Sequence, residues 1–238
     1  MIFGNTDSPL LRQFSGIDPR VFLKLHHEYP WMHHFAMLFP ICLYIIVSWA
    51  VHGFFGCAPR DFYQALRESH PTVTRMMNIA SNYSLLSIYA VYMIIGLRAL
   101  LARNKWKLQF VLRLIFFVVL FSLLLTQFIK YGLGIPRPYF DWPPKPFFQF
   151  VSGYNAFPSG HTIAIITAAL PLAFWTGKKN FSVFLSFIVT VVCISRLWLG
   201  FHHPVDIAGG ILVGSWSARC VFQPRHPPME SEDRDTLL

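Results

Sequence analysis

Residues 108–129 read LQFVLRLIFFVVLFSLLLTQFI, with Arg113 as the single charged side chain. A helix needs about 20 mostly apolar residues to cross the hydrocarbon core of a bilayer. No water is available there, so the backbone must satisfy its own hydrogen bonds, as a helix does. Comparable runs recur at roughly 35–55, 82–102, 161–176, 182–200 and 205–222. The run at 161–176 is short and contains Pro171. The last is rich in glycine (Gly209, Gly210, Gly214), which suits close packing of helices. The sequence therefore predicts an all-α, polytopic membrane helix bundle with about six transmembrane helices. A globular all-α core is the alternative, and so many long apolar runs in one short chain oppose it.

Composition agrees. The 238 residues are 54% hydrophobic and 13% charged, with a mean hydropathy of +0.46; soluble domains carry about a quarter charged residues. The formal net charge is +9. Nucleic-acid binding would gather basic residues on one solvent face, whereas here they sit in short groups between apolar runs. Arg98, Arg103, Lys105 and Lys107 lie between the second and third spans, Lys178 and Lys179 between the fourth and fifth, and Arg219 and Arg225 near the end of the sixth. By the positive-inside rule these loops and both termini are cytoplasmic. The other connections, about 56–81, 130–160 and 201–204, then face outward, the first as an amphipathic surface helix or a solvated loop. Residues 1–226 read as one membrane domain and 227–238 as a disordered cytoplasmic tail. No signal peptide is recognisable in the first 30 residues, so the first span is expected to be a permanent anchor. Cys42, Cys57, Cys193 and Cys220 are scattered and suggest neither a disulfide framework nor a zinc site.

The outward ends of spans three to six carry the chemistry. Lys130 closes span three, and Arg137-Pro138 follow. Phe157-Pro158-Ser159-Gly160-His161 opens span four. Ser195-Arg196 closes span five, and His202 and Asp206 follow across a tight turn. Ionisable residues clustered at one membrane level are a functional signal. Lys130, Arg137 and Arg196 supply three cations, and guanidinium groups grip oxyanions bidentately. Ser159 and Gly160 offer backbone N–H groups at a helix start. His161 is placed to donate a proton. Asp206, one helical turn from His202, can fix the tautomer of an imidazole able to attack phosphorus. Taken singly, each group has a bland reading, as a snorkelling lysine, a helix cap or an interface histidine.

Together, Lys130-x6-Arg137-Pro138, Pro158-Ser159-Gly160-His161 and Ser195-Arg196-x5-His202-x3-Asp206 resemble the tripartite signature of the type 2 phosphatidic acid phosphatase (PAP2) superfamily. The resemblance covers residues 130–206 directly, and the six-span layout is similar to that of bacterial members. It implies a metal-independent integral-membrane lipid phosphatase without a cofactor. His202 would be the nucleophile that forms a phosphohistidine, His161 the general acid and Asp206 the partner of His202. Lys130, Arg137, Ser159, Gly160 and Arg196 would bind phosphate. His203 adjoins His202 and is also within reach of Asp206. The expected substrate is a membrane lipid phosphate on the outer leaflet of a bacterial cytoplasmic membrane: undecaprenyl diphosphate, lipid A, phosphatidylglycerophosphate or phosphatidic acid. The aromatic segment Tyr139 to Phe157 reads as an interfacial belt and a rim admitting acyl chains. Alternatives are a lipid phosphotransferase, or a silent lipid-binding or transport protein of the same fold. Vanadate-dependent haloperoxidases share the residue pattern but are soluble. The pairs His26-His27 and His33-His34 lack partners at metal spacing and read as interfacial structure.

Overall fold

A computed structural model of the chain describes residues 29–53, 56–140, 144–145 and 151–222. Among these are seven α-helices, one short 3₁₀ turn at Ser152–Tyr154 and no strand. The helices are α1 (Trp31–His52), α2 (Cys57–Ser69), α3 (Pro71–Leu101), α4 (Lys105–Leu133), α5 (Gly160–Thr176), α6 (Lys179–Trp198) and α7 (Pro204–Val221). α1, α3, α4 and α6 are long and apolar enough to cross a membrane. The chain is thus a multi-pass membrane protein. The shorter apolar α5 has 17 residues and the glycine-rich α7 has 18.

α5 is the axis of the bundle. Every residue from Thr162 to Trp175 is buried, with α3, α4, α6 and α7 packed around it. The outer helices show the reverse pattern: Phe35 and Phe39 of α1, Met93 and Leu97 of α3, Phe116 and Phe128 of α4 and Phe187 of α6 are all exposed. An apolar exterior of this kind is a liability in water and the expected surface toward lipid.

α5 and α7 approach closely, and the approach rests on missing side chains. A Cβ placed on Gly210 would lie 2.7 Å from Thr162 Cβ, and one on Gly214 would lie 3.0 Å from Ile166 Cβ. The spacing of four puts both glycines on one helix face, the small-xxx-small arrangement that lets helix backbones meet in a membrane.

Three features differ from the sequence reading. The connection 56–81 divides into the helix α2 and the first turns of α3, so α3 spans 31 residues rather than 82–102. Pro71 explains the early start, because proline is pre-organised for the first turn of a helix. His34 is buried rather than interfacial. Its Nδ1 is 2.8 Å from the Tyr29 hydroxyl and its Nε2 is 3.0 Å from the Ser215 hydroxyl, which ties α1 to α7. Finally, α4 contains a π-helical segment, Val119–Leu125, in which the Thr126 hydroxyl donates to the Phe121 carbonyl at 2.6 Å. Such segments shift the register of the helix downstream and occur often at functional sites. Beyond this one, Lys130 is buried. His26, His27, Trp142, Phe147, Phe148, Phe150 and the tail 227–238 lie outside the described residues.

Gly210→Val is expected to lower the thermal midpoint in detergent by several degrees, since forced overpacking costs about 1–3 kcal/mol. Gly132→Ala, where a Cβ meets nothing within 4 Å, should leave it within a degree or two. Equal midpoints for the two variants would contradict the glycine-mediated contact.

Candidate active site

The three motif segments meet where α4, α5 and α7 converge. α5 begins with Ser159 as N-cap, its hydroxyl accepting weakly from the Thr162 N–H at 3.5 Å. Serine is favoured there because its oxygen satisfies a donor left over by the first helical turn. The Ser159 N–H itself donates to the Asp206 main-chain carbonyl at 3.0 Å. That one bond joins the second motif to the third. The first motif is attached through the loop before α5: the Arg137 N–H donates to the Gly153 carbonyl at 2.7 Å, and the Ala156 N–H to the Ile135 carbonyl at 3.1 Å.

α7 begins at Pro204, with His203 as N-cap. His202 therefore precedes the helix, and its relation to Asp206 is not the in-helix turn expected from the spacing. The carboxylate folds back over the helix start instead. Asp206 Oδ2 accepts the His203 backbone N–H at 2.7 Å and lies 3.4 Å from His202 Nδ1. Capping of a helix N-terminus by a carboxylate is favourable in both hydrogen bonding and dipole interaction. The neighbouring histidines are thereby distinguished: Asp206 takes the main chain of His203 but faces the ring of His202. The Pro136 backbone lies beside the His203 ring. Both imidazoles are almost wholly buried.

The cations surround His202. Burial foremost, then the charges of Lys130, Arg196 and Arg137, hold its imidazole well below the ordinary histidine value. The ring is neutral at pH 7, which leaves one nitrogen with a lone pair. His161 is within electrostatic reach of the same three cations, as Asp206 is of Lys130 and Arg137. Arg196 Nη1 donates to the Ser81 hydroxyl at 2.9 Å, and Arg137 Nη1 to the Tyr139 hydroxyl at 3.2 Å. The buried Nε atoms of both arginines have no hydrogen-bond partner among the described residues. Buried donors left over in this way, on converging cations, fit a bound oxyanion. Every site residue named from the sequence thus lies in or beside one cluster. Among the described residues no three His, Cys, Asp or Glu side chains group as metal ligands do.

Sequence reasoning missed several neighbours. Ser81 lies on α3, far from any motif, and nothing in its local sequence marks it. The side of α2 nearest the site was equally silent: Pro59, Arg60 and Tyr63 line a small pocket with Pro138, Gly200, His202 and His203. α2 is fastened there by Arg67, whose Nη1 donates to the Trp198 carbonyl at 2.7 Å. Phe201, adjoining His202 in the sequence, could have been suspected from its position inside the third motif.

The cluster is thus a buried group of cations, a carboxylate and histidines set among apolar membrane helices. Residues 110–227 match the PAP2 superfamily, so the chain carries a domain of that superfamily. It is similar to a lipid A 1-phosphatase of Rhizobium johnstonii, with 32% identity over 43% of each chain. It is 43% identical to the bacitracin transport permease protein BcrC of Bacillus licheniformis, over 29% of this chain and 32% of that one. An undecaprenyl-diphosphatase of Sulfolobus acidocaldarius is 28% identical over 40% of this chain and 46% of that one. The matched region is thus less than half the length of each of these relatives. No solved structure gives a significant match.

Burial pushes the His203 imidazole down to about 4, although the adjacent Pro136 backbone favours the charged form. An unfolded histidine titrates near 6.5. Between these values the unfolded chain binds a proton that the folded chain refuses. The stabilisation from keeping this ring neutral is complete above about pH 6.5 and is lost as pH falls toward 4. The thermal midpoint of the purified protein should fall across that interval, and His203→Gln should flatten the fall. An identical pH profile for the variant would contradict the assignment.

Proposed function

We propose that the protein is a metal-independent phosphatase of a membrane lipid, working through a phosphohistidine on His202. The observation that carries this reading is the placement of a neutral, buried His202 between the Asp206 carboxylate and three cations. Six spans, with both termini in the cytoplasm, would put this cluster on the outer face of a bacterial cytoplasmic membrane.

The chemistry follows from the geometry. Arg137, Arg196, Lys130 and the backbone N–H groups of Ser159 and Gly160 bind the equatorial oxygens of the phosphoryl group. Asp206 orients the imidazole through Nδ1, so that Nε2 carries the lone pair. Nε2 attacks phosphorus, and the bond to the leaving oxygen breaks as His161 donates a proton to that oxygen. Charge on the oxygens is met by cations already in place, which is where preorganised electrostatics contribute most. Water then attacks the phosphorus of the phosphohistidine, giving its proton back to His161. The P–N bond breaks and inorganic phosphate leaves.

Two relatives bear names that point to lipid A 1-phosphate and to undecaprenyl diphosphate as substrates. Both are lipids with a phosphate or diphosphate at the membrane surface, and this chain's substrate is proposed from that class. Transport is the second reading, favoured by the name of one relative. A transport or binding protein needs no proton donor and no carboxylate beside an imidazole, and the placement of His161 and of Asp206 by His202 supports the enzyme reading.

The test is phosphate release by the detergent-solubilised protein from a panel containing undecaprenyl diphosphate, lipid A, phosphatidylglycerophosphate and phosphatidic acid, with EDTA throughout. Release from at least one lipid should survive EDTA. It should disappear in His202→Ala and drop on the order of a hundredfold or more in Asp206→Asn, in line with the contribution of a positioned acid–base system. Abolition by EDTA would overturn metal independence, and full activity of His202→Ala would overturn the histidine mechanism. A folded protein that releases no phosphate would leave binding or transport as the better reading.

A further inference from the structure

Arg137 and Arg196 carry like charges, come from segments far apart in the sequence and converge at a buried site. Like charges at such a place repel strongly because little solvent screens them. Something must hold the two guanidiniums together before an anion arrives, and the structure offers Phe201. Its ring centroid lies 4.3 Å from Arg196 Cζ and 5.7 Å from Arg137 Cζ. Both distances fall within the range in which an aromatic face attracts a cation.

The position of Phe201 is dictated by how α6 ends. Gly200 has φ of 74°, the left-handed region that glycine enters without steric cost. Its N–H donates to the Leu197 carbonyl at 2.9 Å, and the Phe201 N–H donates to the Arg196 carbonyl at 3.1 Å. This pair of bonds, five-to-two and six-to-one, is a Schellman motif. The motif commonly brings the residue after the glycine against the residue five positions earlier in an apolar contact. Here that contact is Phe201 on Arg196, an aromatic face on a cation. The next residue is His202. One turn of chain therefore sets the guanidinium, the ring and the imidazole in a fixed relation. Ser81 adds a second restraint on Arg196 from α3, through the 2.9 Å bond to Nη1.

We infer that Phe201, seconded by Ser81, is a positioning element that gathers Arg137 and Arg196 into one oxyanion clamp for the transferred phosphoryl group. Neither residue reacts; each acts through the arginines. The inference rests on the phosphate-binding reading of those arginines, and the experiment separates the two.

Orthovanadate, a phosphate mimic, would be titrated against the purified full-length protein by isothermal calorimetry, alongside KM and kcat on the preferred lipid. Phe201→Leu keeps bulk but removes the aromatic face. It should weaken vanadate binding by about tenfold, the scale of one to two cation–π contacts, with a fall in kcat and a thermal midpoint close to that of the wild type. Phe201→Tyr should restore both. Ser81→Ala should weaken binding by a few-fold. Trifluorophenylalanine at position 201 preserves shape while draining the ring face of negative charge, and it should reproduce the leucine defect even if Phe201→Leu fails to fold. Wild-type protein that binds no vanadate would overturn the phosphate-site reading itself. Tight binding by wild type and by the leucine and fluorinated variants alike would overturn the role of Phe201 and leave the phosphate site standing.

Discussion

The site depends on Asp206. Its side chain caps the start of α7 through the His203 N–H, at 2.7 Å, and faces His202 Nδ1 at 3.4 Å. Its main-chain carbonyl receives the Ser159 N–H, at 3.0 Å, from the start of α5. One residue thus joins two helix N-termini and an imidazole. A carboxylate with no exposed surface is costly unless its hydrogen bonds and neighbouring charges compensate. Here the cap bond, the helix dipole and the nearby Lys130 and Arg137 offset part of that cost. The same cations that would hold a substrate phosphate therefore also act on the buried Asp206. Binding an anion must be balanced against that existing interaction, which favours a divalent or trivalent oxyanion over a singly charged one.

Packing delivers these groups to one place. Gly210 and Gly214 let α7 lie against α5 at backbone distance, so the two helix starts can share a hydrogen bond. The π-helical segment of α4 lies against the same helix start: a Cβ on Gly160 would be 3.7 Å from Thr126 Cγ2 and 3.8 Å from the Ser122 carbonyl. Lys130, one turn beyond, is buried with the rest. α2 closes the arrangement from another direction through Arg67 and the pocket it shares with His202. Gly200 serves twice here. Its positive φ permits the Schellman turn, and a Cβ on it would lie 2.8 Å from Arg67 Nη1.

Much of this is legible in the sequence, and the hidden part has a physical reason. Apolar runs locate six of the seven helices, and four of these are long and apolar enough to cross a membrane. α2 is half-legible; its amphipathic pattern is equally that of a loop, and only contacts such as Arg67 with the Trp198 carbonyl fix it as a docked helix. The cluster can be read because its charged residues are conspicuous against an apolar background. Spacing alone makes the relation between His202 and Asp206 a helical turn, whereas Pro204 starts the helix late and turns the carboxylate into a cap. Ser81 is not readable, and Phe201 is marked only by its place inside the third motif. A serine in a membrane helix carries no signal, and the role of either residue emerges only when tertiary contacts bring an arginine to each.

The central claim is that His202 carries the phosphoryl group during turnover. It is tested most directly by rapid quenching of the protein with a lipid diphosphate labelled with ³²P in its terminal phosphate. Protein-bound label is expected in the first turnover, surviving base, released by acid and absent from His202→Gln. Label retained by that variant would contradict the claim, as would active wild-type enzyme that never carries label.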